Sequence, residues 1–266
     1  MLGYELFSTY SNIFSFTTTR MGGCGVGKYN SFNCSPFCGD EEEHVRQNQM
    51  LLRQALPQSL KQLIIPQQVH GTKIQLIDKT FLSLSQDQQQ EQLNGIDALI
   101  TNESGYCLCV STADCVPILI YDHENQIVAA VHSGWRGTVD GITTKTLEVM
   151  KEKFGTSGKN VSAIIGPSIS LESFEVGEEV YLAFKEKGFD MSRISIWKEK
   201  TQKHHIDLWE AVREQLYVFG VHKENIECAR ICTFIRHEEF FSARRLGIKS
   251  GRILSGIMLN SEVRNY

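Results

Sequence analysis

The chain has 266 residues, of which 41% are hydrophobic and 22% charged, and its formal net charge is −4. That balance describes an ordinary globular protein of one large domain or two small ones, and it argues against a nucleic-acid partner, because phosphate backbones are bound by clustered Lys and Arg. No apolar run approaches the roughly 20 residues of a membrane span, and the start Met1-Leu2-Gly3-Tyr4-Glu5 lacks the basic opening of an export signal, so a cytoplasmic location without a membrane partner is expected.

In chain order, a β-branched and aromatic run over 13–19 predicts a strand. Apolar spacing over 41–56 predicts a helix. Short strands follow at 62–65 and 73–77. The Gln-rich run 85–92 is expected to be an exposed loop. Strands are predicted at 97–101, 106–111, 116–121 and 127–133, at hairpin-like spacing. A helix over 139–154 has Thr138 as its expected N-cap, and a helix over 208–219 has Asp207. Between them lie a strand at 161–166 and a helix at 178–187, and strands at 226–233 and 252–259 complete the chain. No period of 20–50 residues recurs, and no linker composition marks a boundary, so residues 1–266 are expected to form a single domain. Strict strand–helix alternation is absent, which favours α+β over a doubly wound parallel sheet.

Three segments stand apart chemically: Gln67-Gln68-Val69-His70-Gly71-Thr72, Ser111-Thr112-Ala113-Asp114-Cys115-Val116-Pro117 and Ala129-Ala130-Val131-His132-Ser133-Gly134-Trp135-Arg136-Gly137. Taken singly, a His or Cys is more often a packing residue than a ligand. Taken together, His70, Cys115 and His132 offer a tetrahedral zinc ion two imidazoles and a thiolate, with one position open for water or substrate. Their wide separation excludes a zinc finger, whose ligands are local. Strand ends and loops are where a scaffold aims scattered ligands at one point. Asp114 is a candidate proton carrier or an orienter of a ligating histidine, and equally a turn cap. The Gly-Trp-Arg-Gly turn after His132 suits a packed connector as well as a close backbone approach to an anion.

Arg20, Arg136 and the pair Arg244-Arg245 could receive an anion, since guanidinium matches phosphate with a planar fork of donors. Gly22, Gly23, Gly25 and Gly27 have the spacing of neither a Walker loop nor a dinucleotide fingerprint. The 8 cysteines include no Cys-x-x-Cys pair, so they read as reduced thiols, mostly buried as small hydrophobes.

Several motifs, spread almost end to end, resemble those of the YfiH-type family, described as laccase-domain or multicopper polyphenol oxidase proteins. They are TTRMGG with Ser31-Phe32-Asn33, QVHGTK, DALIT, TADCVP, AAVHSGWRGT, IGPSI with FEVGEEV, DLW, CTF, and FFSARR with SGRIL. The resemblance implies a layered α/β sandwich with mixed, largely antiparallel sheets. It places His70, Cys115 and His132 on the family's metal ligands. Asp114 and Cys115 are then the candidate catalytic residues, and Arg20, Asn33, Arg136 and Arg244 the candidates for binding nucleoside and phosphate. It implies phosphorolysis of purine nucleosides (adenosine, inosine, methylthioadenosine), deamination of adenosine and, in some bacteria, peptidoglycan editing. Three positions depart from the family pattern: Gln49 stands where Arg is usual, the usual His before Gly39-Asp40 is replaced within Pro36-Phe37-Cys38, and Ser133 replaces Ala.

Three rivals stay open on sequence. His, His and Cys also suit blue copper, usually with a weak axial Met. Cys115 could be a nucleophile with His132 as base, as an amidase acting on a cell-wall precursor would need. The cluster could also be a structural metal site in a binding protein.

Overall fold

The computed structural model describes residues 1–260, so positions 261–266 of the expected domain lie outside the described residues. The strands, in chain order, are β1 (Ile13–Thr17), β2 (Gln62–Ile64), β3 (Ile74–Leu76), β4 (Ala98–Thr101), β5 (Tyr106–Thr112), β6 (Val116–Asp122), β7 (Ile127–Ser133), β8 (Val161–Ile165), β9 (Glu175–Val176), β10 (Ser195–Lys198), β11 (Lys203–Ile206), β12 (Ile226–Cys228) and β13 (Ile253–Leu259). They form a four-stranded sheet of order β1-β13-β5-β2, a six-stranded sheet of order β12-β8-β6-β7-β4-β3 and a small sheet of order β10-β11-β9. Pairing is parallel at β2–β5, β3–β4 and β12–β8 and antiparallel elsewhere.

Strand side chains alternate between faces, and that period builds the layers. Leu108, Val110 and Ile257 of the four-stranded sheet meet Leu99, Leu119, Val128 and Ala130 of the six-stranded sheet in one buried cluster. The opposite residues of the same strands, Ile100, Ile118, Ile120 and Val131, pack with Leu147, Met150, Val212 and Leu216, which come from the helices Ile142–Phe154 and Leu208–Phe219. On the far side, Leu52 of the helix Glu42–Ala55 covers Phe16, Cys107, Cys109 and Met258. The result is helix, sheet, sheet, helix: the layered α/β sandwich with mixed sheets that was expected. Central strands have both faces covered, so Val116–Asp122 is buried along its whole length. Among the described residues no helix is long and apolar enough to cross a membrane.

Three local expectations need correction. Residues 85–92 are not a loop: Gln86–Gln92 is a helix, opened by a capping box in which Ser85 Oγ accepts from the Gln88 amide and the Gln88 side chain accepts from the Ser85 amide. The helix expected over 139–154 begins at Ile142, because Gly141 takes a left-handed φ of 77° and separates it from a short helix, Trp135–Val139. Thr138 lies inside that short helix and donates its hydroxyl to Gly134 O, so it is not the N-cap. The strand expected over 226–233 stops at Cys228, and Arg230 turns with φ 51° before an isolated bridge at Cys232. Asp207 does cap its helix, accepting from the Glu210 amide at 3.0 Å.

Candidate metal centre

The two large sheets exchange the chain at one corner. Strand β5 belongs to the four-stranded sheet and β6 to the six-stranded one, so residues 113–115 carry the backbone between layers. Asp114 turns there with φ 85°, a conformation uncommon outside glycine. Its carboxylate fastens the corner: Oδ1 accepts from the Thr233 hydroxyl and Oδ2 from the Arg244 backbone amide, both at 2.7 Å. Its carbonyl accepts from the Ile169 amide at 2.9 Å. Cys115, half-buried, is the next residue.

His132 lies near the end of β7, paired in register with Pro117, and is 2% exposed. His70 stands in the loop between β2 and β3, is exposed, and takes a left-handed φ of 62°. The Gln68 side chain donates to Ser111 O at 2.9 Å and accepts from the Ser111 amide at 2.7 Å, tying that loop to β5. The two imidazole rings sit edge to face with centroids 4.8 Å apart. The ligand atoms of His70, Cys115 and His132 all lie within 4.8 Å of one another. Gly134 makes this approach possible, for a Cβ at that position would come within 2.9 Å of His70 Cδ2 and 3.0 Å of Cys115 Sγ.

The electrostatics favour a thiolate. Burial pushes the Cys115 thiol up, but the His132 and His70 rings outweigh it and bring the thiol down to about 6. Burial works against a charged His132, and the Cys115 thiolate and the Asp97 carboxylate overcome it, raising the ring to about 9. Asp97 was not singled out from the sequence. It is fully buried at the head of the Asp-Ala-Leu-Ile-Thr strand, and its Oδ1 lies 2.7 Å from His132 Nδ1. The signal that could have found it is an acidic residue opening an otherwise apolar central strand, which calls for a partner.

Two cavities meet at the cluster and share His70, Ala113, Cys115, Ala243 and Ile248. One, of about 530 Å³, is polar on one side, with Gln68, Ser111, Arg136 and Arg252 in its wall. The other, of about 510 Å³, is walled by Trp135, Ile169, Phe174, Leu208 and Arg244. Arg136 lies 4.2 Å over the Trp135 ring, and Arg244 lies 5.5 Å over Phe174 while donating to Glu175 O.

Arg20 and Asn33 line neither cavity. The Arg20 guanidinium donates to Asn30 O and His237 O and covers Phe241. Asn33 is fully buried. Its Nδ2 donates to Asp40 and Ser35 O, and its Oδ1 accepts from the Ser35 and Arg252 amides. Both hold loops in place, so the structure does not bring them to the cluster as expected for substrate-binding residues. Of the departures, Gln49 donates to Cys34 O, and Cys38 faces the first cavity.

The donor set fits a transition metal such as zinc or copper: two nitrogens and a sulfur, the thiol already inclined to ionise, and one histidine held by a carboxylate. Among the described residues this is the single group of three or more His, Cys, Asp or Glu side chains close enough to hold an ion. Two imidazoles and a thiolate are also the donors of a blue-copper site.

Known proteins resemble this chain along nearly its whole length. A purine nucleoside phosphorylase of Bacteroides thetaiotaomicron is 63% identical over 260 residues, covering 98% of this chain and 96% of the relative. An adenosine deaminase, RL5, from an unknown prokaryotic organism is 40% identical over 243 residues, covering 91% and 92%. The crystal structure of the Bacillus licheniformis hypothetical protein YfiH superposes with a TM-score of 0.86 at 25% identity, covering 96% and 94%. A family model described as multi-copper polyphenol oxidoreductase laccase matches residues 14–260. With that span matched and relatives this similar along their whole length, the chain belongs to this laccase-like, YfiH-type family.

Proposed function

We propose that the chain is a zinc-dependent purine nucleoside phosphorylase acting on adenosine, inosine or methylthioadenosine, with adenosine deaminase activity. The observation that carries this reading is the His70–Cys115–His132 cluster at the junction of two cavities. The names of the two relatives, a purine nucleoside phosphorylase and an adenosine deaminase, support the choice of substrate class.

A bound zinc ion would supply Lewis acidity and a lowered pKa for water in its open position. The chain's own residues do the rest. Trp135 and Phe174 offer apolar and aromatic surface to a purine ring. Arg136 brings positive charge to the neighbouring cavity, where phosphate would approach, and Arg252, whose guanidinium is held by the Ser250, Gly251 and Ile248 carbonyls, adds to the field there. Arg244 carries charge into the aromatic cavity. Asp114 acts through the corner it fastens: both its oxygens are engaged by Thr233 and Arg244, so it positions Cys115.

One observation favours a second reading. A thiol at about 6 beside a charged imidazole is also the ground state of a cysteine nucleophile, as a metal-independent amidase would use. Metal-assayed protein incubated with adenosine, with and without phosphate, separates the readings. The phosphorylase yields adenine and ribose 1-phosphate only with phosphate present, the deaminase yields inosine without it, and chelation abolishes both. Turnover that survives complete metal removal would sink the zinc reading in favour of the thiol.

A further inference from the structure

We propose that Asp97 is the positioning residue of the metal centre, a single buried carboxylate that aims both histidines at the Cys115 sulfur. The assignment rests on the metal reading above and extends it to a residue outside the ligand set.

The geometry carries it. Asp97 Oδ1 lies 2.7 Å from His132 Nδ1 and accepts from the His70 backbone amide at 3.0 Å. Oδ2 accepts from the Gly71 amide at 2.7 Å and the Val69 amide at 3.3 Å. The Asp97 carbonyl accepts from the His132 amide at 2.8 Å, so one residue grips β7 and the β2–β3 loop together. An ionised carboxylate can only accept, so the hydrogen on this edge of His132 resides on Nδ1. That fixes Nε2 as the nitrogen left for a ligand role and fixes the plane of the ring. On the other side, three consecutive amides bound to one carboxylate hold His70 in its left-handed conformation, which is uncommon outside glycine.

A plain turn clamp is the competing account. It explains the three amides and leaves the His132 contact without a purpose. The two accounts part at the metal. The test uses full-length protein stripped of metal, with zinc affinity read by competition against a chromophoric chelator. Loss of a ligand's hydrogen-bond partner commonly weakens metal binding about 10- to 100-fold, and Asp97→Ala should fall in that range. Asp97→Asn keeps the shape and one acceptor, so it should lie between parent and Asp97→Ala. Circular dichroism and melting of the metal-free variants report folding separately. Should Asp97→Ala fail to fold, Asp97→Asn decides alone. Cobalt-loaded variants should also show displaced thiolate-to-cobalt and visible bands, which a clamp remote from the metal would leave in place. Folded variants that bind zinc within about threefold of the parent, well short of the range expected for a ligand's partner, with an unchanged cobalt spectrum, overturn the proposal. A parent chain that takes up no zinc overturns the metal reading, and this assignment with it. Neither outcome depends on which nucleoside is turned over.

Discussion

Two regions of this chain are equally dense in family motifs, and they do different work. The segments around His70, Cys115 and His132 converge on a cluster open to two cavities. In the segment from Arg20 to Asn33 the two candidate ligand-binding residues are spent on the protein itself: Arg20 donates to two carbonyls, and Asn33 is buried with both ends of its amide engaged. Motif density alone therefore does not mark a site. The discriminating property is whether a polar group has valence left over for a ligand. Asn33 has none, and the Nε2 of His132 is not engaged by Asp97.

The sharpest way to break this contrast is to remove the sulfur. Cys115→Ala should lose bound metal and turnover together, by more than the about 100-fold that loss of a ligand's hydrogen-bond partner causes. Metal analysis alongside product formation checks it, and a metal-replete, active variant would dissolve the distinction between the two regions.

Next comes crowding at the cluster. Gly134→Ala puts a Cβ within 2.9 Å of His70 and 3.0 Å of Cys115. Overpacking of this kind costs about 1–3 kcal/mol. Here it should appear mainly as weakened zinc binding, because the exposed His70 ring can move away while the buried sheet cannot. A variant with parent-like zinc affinity and a lowered melting temperature would show instead that the sheet yields first.

The region of Arg20 and Asn33 predicts the reverse signature. Asn33→Ala leaves the Ser35 and Arg252 amides without their acceptor. Unsatisfied buried groups cost about 1–3 kcal/mol each, so the melting temperature should fall while zinc content stays unchanged. Arg136→Gln, at the cavity wall, should raise the KM for phosphate and alter stability by no more than about 0.5 kcal/mol, as surface changes do. If Asn33→Ala raised the KM for phosphate at constant stability, the region would belong to the site after all.

What the sequence made legible follows from which forces are local. Strand β7 was bounded correctly at 127–133, and the Asp207 cap was identified, because an apolar run bounded by turn residues and a capping side chain are both visible within a few residues. The three ligand candidates were nameable because their residue types are rare and chemically specific. Asp97 was not, although it touches the segments of two of them. Its role depends on β4 lying beside β7, a pairing between residues about thirty positions apart that no local pattern announces. The inward turn of Asn33 was hidden for the same reason: its partner amide at Arg252 lies at the other end of the chain. The missed hairpin of β10 and β11 carries Lys and His where a core strand would carry apolar residues.

The missed helix Gln86–Gln92 offers the smallest and most discriminating test of what holds the His70 loop. Its far end touches that loop, since the Gln67 amide donates to Leu93 O at 3.0 Å and the Gly95 amide to Gln67 O at 2.8 Å. Removing an N-cap hydroxyl costs about 1 kcal/mol, so Ser85→Ala should lower stability by that amount. Zinc affinity should not change, because the Asp97 carboxylate and the Gln68 side chain hold residues 68–71 independently of the helix. Helix loosening is read by amide exchange over residues 86–92, and affinity by the same chelator competition. If the capless helix also lowered zinc affinity, the His70 loop would be propped from outside by the helix rather than clamped from within, and the Asp97 carboxylate would be one support among several.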